Sequence, residues 1–158
     1  MMIEKLLVLL MLCSLSWSCA SELPIDDPSE GYWEQLVLED SMPRRDLLLA
    51  CEYAISQARY PQGTIDAVRG TVFSDWEVRL QPFRNKGMRY KAIFRIFDGE
   101  SDVGGTPSVR CRVIAERNIE GDDTLDSSAA EWEAVNDDQR RSRVLMQYLR
   151  SQLFLRDS

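Results

Sequence analysis

The stretch Met88–Phe97, MRYKAIFRIF, decides the fold. Met88, Tyr90, Ala92, Phe94 and Ile96 alternate with Arg89, Lys91, Ile93, Arg95 and Phe97. A period of two is the signature of a β-strand with two unlike faces. One face is apolar and suits a core. The other interleaves three cations with Ile93 and Phe97.

Working outward, Asn85, Lys86 and Gly87 supply a turn before this strand, and Pro82 ends the segment before that. That segment, Thr71 to Gln81, sets Val72, Trp76, Val78 and Leu80 on one parity, and Thr64 to Val68 precedes it as a short strand. On the other side, Asp98 to Pro107 is rich in turn residues. Ser108 to Arg117 then alternates Val109, Cys111, Val113 and Ala115 against Arg110, Arg112, Ile114 and Glu116. Three long strands in this order predict an antiparallel meander.

Helical spacing frames the meander. Ser41 and Pro43 read as a helix start. From Arg44 to Tyr60, the residues Leu47, Leu48, Cys51, Ala54, Ile55 and Ala58 fall on one face before Pro61 and Gly63 stop the run. Ser128 with Glu131 reads as a capping box for a short helix through Val135. A longer helix, capped by Asn136 or Asp137, follows with Val144, Leu145, Tyr148, Leu149 and Leu153 near helical spacing. Arg140, Arg141 and Arg143 lie in its first two turns, where positive charge opposes the helix dipole, so Asp137 or Asp138 is expected to offset them. The expected fold class is α+β: an antiparallel meander of three to four strands with an N-terminal helix and C-terminal helices packed on one face.

The face turned away from the helices is the constellation with chemical content. Arg89, Lys91 and Arg95, with Arg110 and Arg112 from the next strand and Arg79 from the previous one, form a basic sheet face interleaved with Phe73, Ile93, Phe97 and Ile114. Such a face can hold an anionic partner, an acidic protein segment, a lipid headgroup or an envelope polymer. The plainer alternative is a solvated face whose cations pair across strands with Asp75, Glu77 and Glu116.

Composition narrows the function classes. The 158 residues carry 19 Lys and Arg against 26 Asp and Glu, a net charge of −7, and no histidine. An acidic chain is a poor general binder of nucleic acid. Without histidine there is no His-based triad, His general base or His metal ligand. Glu131 with Glu133, or Asp137 with Asp138, come nearest to a catalytic carboxylate pair. Glycoside hydrolysis needs its carboxyls roughly 5 to 9.5 Å apart across a cleft, which neighbours on one surface helix do not provide. The acidic loop Asn118 to Ser127 lacks the ligand spacing of a calcium loop. No catalytic residue, metal or cofactor is expected.

The amino-terminal stretch Leu6 to Cys19, LLVLLMLCSLSWSC, concerns address rather than fold. Its apolar block behind Lys5 is shorter than the roughly 20 residues of a membrane span and suits the core of an export signal. Where the block gives way to Ser16, Trp17, Ser18 and Cys19, the segment resembles the lipobox of bacterial envelope lipoprotein precursors. The resemblance implies lipidation at Cys19, a membrane anchor, and, with Ala20 and Ser21 following the cysteine, the outer membrane of a two-membrane bacterium. The helix-then-meander order also resembles the small modules of several such lipoproteins. Two alternatives stand beside this: ordinary cleavage after Ala20 to release a soluble domain, and a retained anchor helix. The expected organisation is a signal peptide over 1–18, a lipidated tether and docking segment over 19–41, and a single α+β domain over 42–158.

With Cys13 in the signal peptide and Cys19 lipidated, Cys51 and Cys111 are the two thiols left to pair. Helical spacing puts Cys51 on the apolar face of its helix, and alternation puts Cys111 on the helix-facing side of its strand. They can meet in the core as a disulfide, which export would permit, or stand as two buried free thiols acting as small hydrophobes.

Overall fold

The long alternating strand is the centre of an antiparallel sheet with two helices on one face. The computed structural model describes residues 31–40, 42–80, 87–98, 106–119 and 130–154. The leader with Cys19, Ser41, and the greater part of the acidic loop with Ser128 lie outside them. In chain order the elements are β1 Glu34–Val37, α1 Arg44–Gln57, β2 Thr64–Asp66, β3 Thr71–Phe73, β4 Glu77–Arg79, β5 Met88–Phe97, β6 Ser108–Asn118, β7 Trp132–Val135 and α2 Gln139–Phe154. Gly31–Ser158 form one compact unit, of class α+β.

β5 and β6 pair over ten residues, from Met88 opposite Arg117 to Phe97 opposite Ser108. This register puts Ala92, Phe94 and Ile96 on the same face as Val109, Cys111 and Val113, all buried. Leu47, Leu48, Cys51, Ala54 and Ile55 of α1 and Leu145, Met146, Leu149 and Leu153 of α2 complete one core cluster with them. The small side chains on α1 admit that close approach to the sheet.

The sheet order is β1-β6-β5-β3-β2, with β4 also pairing β5 and β7 also pairing β6. There are thus seven strands among the described residues, against three to four expected. Three of the differences have physical causes. Glu34–Val37, read as part of a docking arm, is an edge strand on β6, with Leu36 opposite Val109. Trp132–Val135, read as a short helix, is instead strand β7, with Glu116 opposite Ala134. Pairing to an exposed edge outweighs the local capping signal there, so α2 is the one C-terminal helix described. The third difference is a slip of register along β5. Val72 faces Phe94, but after Ser74, Asp75 and Trp76 it is Val78 that faces Arg89, so three residues oppose two and every later side chain changes face. Ser74 fills this bulge. Its backbone N–H donates to Ala92 O at 2.9 Å, and its hydroxyl accepts from Ala92 N–H at 2.8 Å.

The helix ends are also specific. Pro43 takes the N-cap position of α1 with no side-chain cap. At its C-terminus Tyr60 N–H donates to Ile55 O and Arg59 N–H to Ser56 O, the paired bonds of a Schellman motif. Arg59 there has φ +61°, in the left-handed region where glycine is usual. Asp138 caps α2 by accepting from Arg141 N–H at 3.0 Å. Ser142 ties that end to the sheet: its hydroxyl accepts from Val113 N–H at 3.1 Å and donates to Asp138 O at 3.1 Å. These bonds, with Asp138 N–H donating to Val113 O, satisfy β6 between the ends of β1 and β7.

Candidate functional site

Both helices pack on the face bearing Phe94 and Cys111. The opposite face is covered by no helix among the described residues. Strand alternation brings Arg89, Lys91, Arg95, Arg110 and Arg112 to this open face, as the sequence indicates. Arg79 is a correction. The slip at Ser74–Trp76 places it opposite Met88, on the helix-bearing face, where it pairs with Glu77 at 2.6 Å. The same slip moves Trp76 and Val78, expected in the core, onto the open face.

The remaining cations lie over aromatic rings. Arg89 sits between Trp76 and Trp132, 4.4 and 4.7 Å from their centroids. The Lys91 ammonium is 5.8 Å from the Phe73 ring and 5.7 Å from Trp76. Arg95 and Arg110 approach the ring of Phe97 at 5.2 and 4.6 Å, and Arg112 lies 5.9 Å from Trp33. Each such contact contributes about 0.5 to 1 kcal/mol at an exposed site. The three tryptophans were not legible as parts of this face. Trp33 lies in the amino-terminal arm, Trp76 is displaced by the bulge, and Trp132 falls in the segment that reads as a helix.

Carboxylates are unevenly shared among these cations. Arg89 is paired with Glu116, its cross-strand neighbour. Arg112 donates through Nε to Asp137 Oδ2 at 2.7 Å, in a pair whose side chains are only 12% and 7% exposed. The same oxygen accepts from Tyr32 N–H at 2.7 Å. Gly31 is required beside them: its φ is +91°, and a Cβ there would collide with the Arg112 guanidinium and the Asp137 carboxylate. Asp137 therefore joins the arm before β1 to β6 and the approach to α2. Lys91, Arg95 and Arg110 have no carboxylate partner among the described residues. Arg110 has only the neutral Gln35 Oε1 at 3.2 Å. Arg95 and Arg110 stand directly opposite each other in the β5–β6 ladder, a like-charge pairing that disfavours the sheet unless something negative offsets it.

On the other face, Cys51 and Cys111 are both buried free thiols, so the disulfide considered from the sequence is not formed in this structure. Burial pushes both thiols well above their ordinary value, and Cys51 raises Cys111 further by its proximity. Among the described residues, no three His, Cys, Asp or Glu side chains converge as metal ligands do, and no helix is long and apolar enough to cross a membrane. No protein-family model matches this chain, and no curated protein matches it significantly.

Proposed function

We propose that this chain is a non-catalytic envelope lipoprotein, anchored through Cys19, whose domain binds an anionic envelope polymer on the open face of its sheet. What supports the binding half is one observation: Arg95 and Arg110 face each other across β5 and β6 with no carboxylate on either among the described residues. On the same face, Lys91 adds a third cation with no carboxylate partner among the described residues. Arg95 and Arg110 stand one strand spacing apart, about 4.8 Å, and Lys91 lies four residues further along β5, a spread of charge that suits an extended polymer with charges along its length. The intervening rings offer apolar surface to its backbone. The anchor rests on the sequence alone, on the apolar block and on Ser18-Cys19.

The test has two arms. Binding of a polyanion such as dextran sulfate to the purified protein is expected to be saturable, to weaken as salt is raised, and to fall at least about tenfold when Lys91, Arg95 and Arg110 are all changed to Gln. Unchanged binding in that triple variant, or tighter binding of an acidic peptide than of the polyanion, overturns the assignment. Metabolic labelling with a palmitate analogue is expected to mark the wild type and not Cys19→Ala. An unlabelled wild type excludes the anchor.

A further inference from the structure

A second basic site lies on the helix-bearing side of the sheet, away from the open face. A cleft of about 460 Å³ opens where the end of α1 meets the first turns of α2, lined among others by Arg59, Tyr60, Tyr90, Arg140, Arg141 and Tyr148. That is the size of a small-molecule site. Arg141 is its fixed element. Its guanidinium stacks 3.8 Å from the Tyr90 centroid, and Nη1 donates to Glu77 at 2.5 Å and to Tyr60 Oη at 3.3 Å.

Arg59 and Arg140 are the telling residues, because the fold has no use for either where it stands. Arg59 occupies the left-handed C′ position of α1, where glycine would cost less. Arg140 is the second residue of α2, where positive charge opposes the helix dipole. Of the three arginines near that end, Arg141 pairs with Glu77 and Arg143 lies 3.8 Å from Glu34. Neither Arg140 nor Arg59 has a side-chain partner among the described residues. Two locally unfavourable choices that converge on one cleft are the pattern expected of a binding site.

We infer that this cleft binds a small phosphate monoester. Three guanidinium groups line it against one carboxylate, Asp138, which is already committed to capping α2 and to Arg141. Arg141 is offset by Glu77 and Asp138, so Arg59 and Arg140 are the two cations left to meet a phosphate monoester, which carries about −1.5 to −2 near neutral pH. Guanidinium forks also suit its oxygens. Tyr148 and Val144, both partly exposed on the wall formed by α2, would take the organic part of the ligand.

Phenyl phosphate titrated into the purified protein tests this, read by the ring signals of Tyr60, Tyr90 and Tyr148 in aromatic NMR spectra. Saturable shifts below about 10 mM are expected, with phenol alone giving none. Arg59→Gly and Arg140→Gln should each weaken binding about tenfold. Thermal stability should stay unchanged or rise, because both substitutions relieve a local conflict. Changing Lys91, Arg95 and Arg110 to Gln should leave this binding intact. No saturable shift, wild-type affinity in both single variants, or loss of binding in the open-face variant would each overturn the assignment.

Discussion

The two faces of β5 and β6 share one backbone and one hydrogen-bond ladder, yet they are built on different physics. On the helix-bearing face, Ala92, Phe94, Val109, Cys111 and Val113 are fully buried, and burial of apolar area holds them there. On the open face, every described side chain from Arg89 to Phe97 is half-buried, with no second layer of helix over it among the described residues. Rings lie beneath cations, and only some of the cations have carboxylates among the described residues. A single strand can thus carry one face specified by packing and another whose charges are only partly paired among the described residues.

The largest difference between the faces is expected when equivalent rings are truncated. Phe94→Ala should cost about 3 to 5 kcal/mol, because it removes a fully buried ring and leaves a cavity. Phe97→Ala, on the open face under Arg95 and Arg110, should cost about 1 kcal/mol. Denaturant unfolding of the two variants measures both, and similar losses would mean that the open face is packed as a core.

Next comes a place where the open face has a structural task. Asp137→Ala leaves Arg112 without its nearly buried carboxylate and Tyr32 N–H without its acceptor. The expected loss is about 3 kcal/mol, since a nearly buried guanidinium loses a charge-assisted hydrogen bond and a backbone N–H loses its acceptor. Glu133→Ala breaks the exposed pair with Arg117 and should change stability by less than about 1 kcal/mol. Thermal or denaturant melts of the two variants set one pair against the other, and equal losses would mean that Asp137 is not the hub its contacts describe.

How far the sequence reveals this arrangement depends on how long each pattern runs. β5 and β6 repeat their alternation over ten and eleven residues, so strand type, face and the burial of Cys111 can all be read from them. α1 repeats its apolar spacing for long enough that Cys51 falls on its buried side as expected. The four-residue strands β1 and β7 carry too little pattern of their own. Their structure comes from the free edge of β6, which no local sequence reports. The bulge at Ser74–Trp76 is a different failure. The residues before and after it alternate correctly, but one extra residue reverses the parity, so Arg79 leaves the basic face while Trp76 and Val78 join it. Asp137 reads from the sequence as a helix cap, an offset to the helix arginines or a neighbour of Asp138, not as the partner of Arg112. Its role depends on Gly31 and Tyr32 arriving from the other end of the chain.

The last contrast between the faces is read by pH. On the helix-bearing face two thiols and a phenol are held neutral: burial lifts both thiols above their ordinary value near 9 and raises Tyr60 to about 12. A group whose folded value lies above its unfolded value holds its proton longer in the folded chain. The unfolded state then binds fewer protons, and stability falls as pH rises. The thiol contribution is therefore complete below about pH 9 and lost above it, while that of Tyr60 begins to be lost only above about pH 10. With both thiols free, stability should drop by about 2 to 3 kcal/mol between pH 8 and pH 10, at about 1.4 kcal/mol per pH unit for each thiol once past its unfolded value. Urea unfolding across that range measures the slope, and the Cys51→Ala, Cys111→Ala variant should flatten it. Protein in which the two sulfurs had become joined would already show the flat profile, so the same titration before and after reduction also reports whether they remain apart.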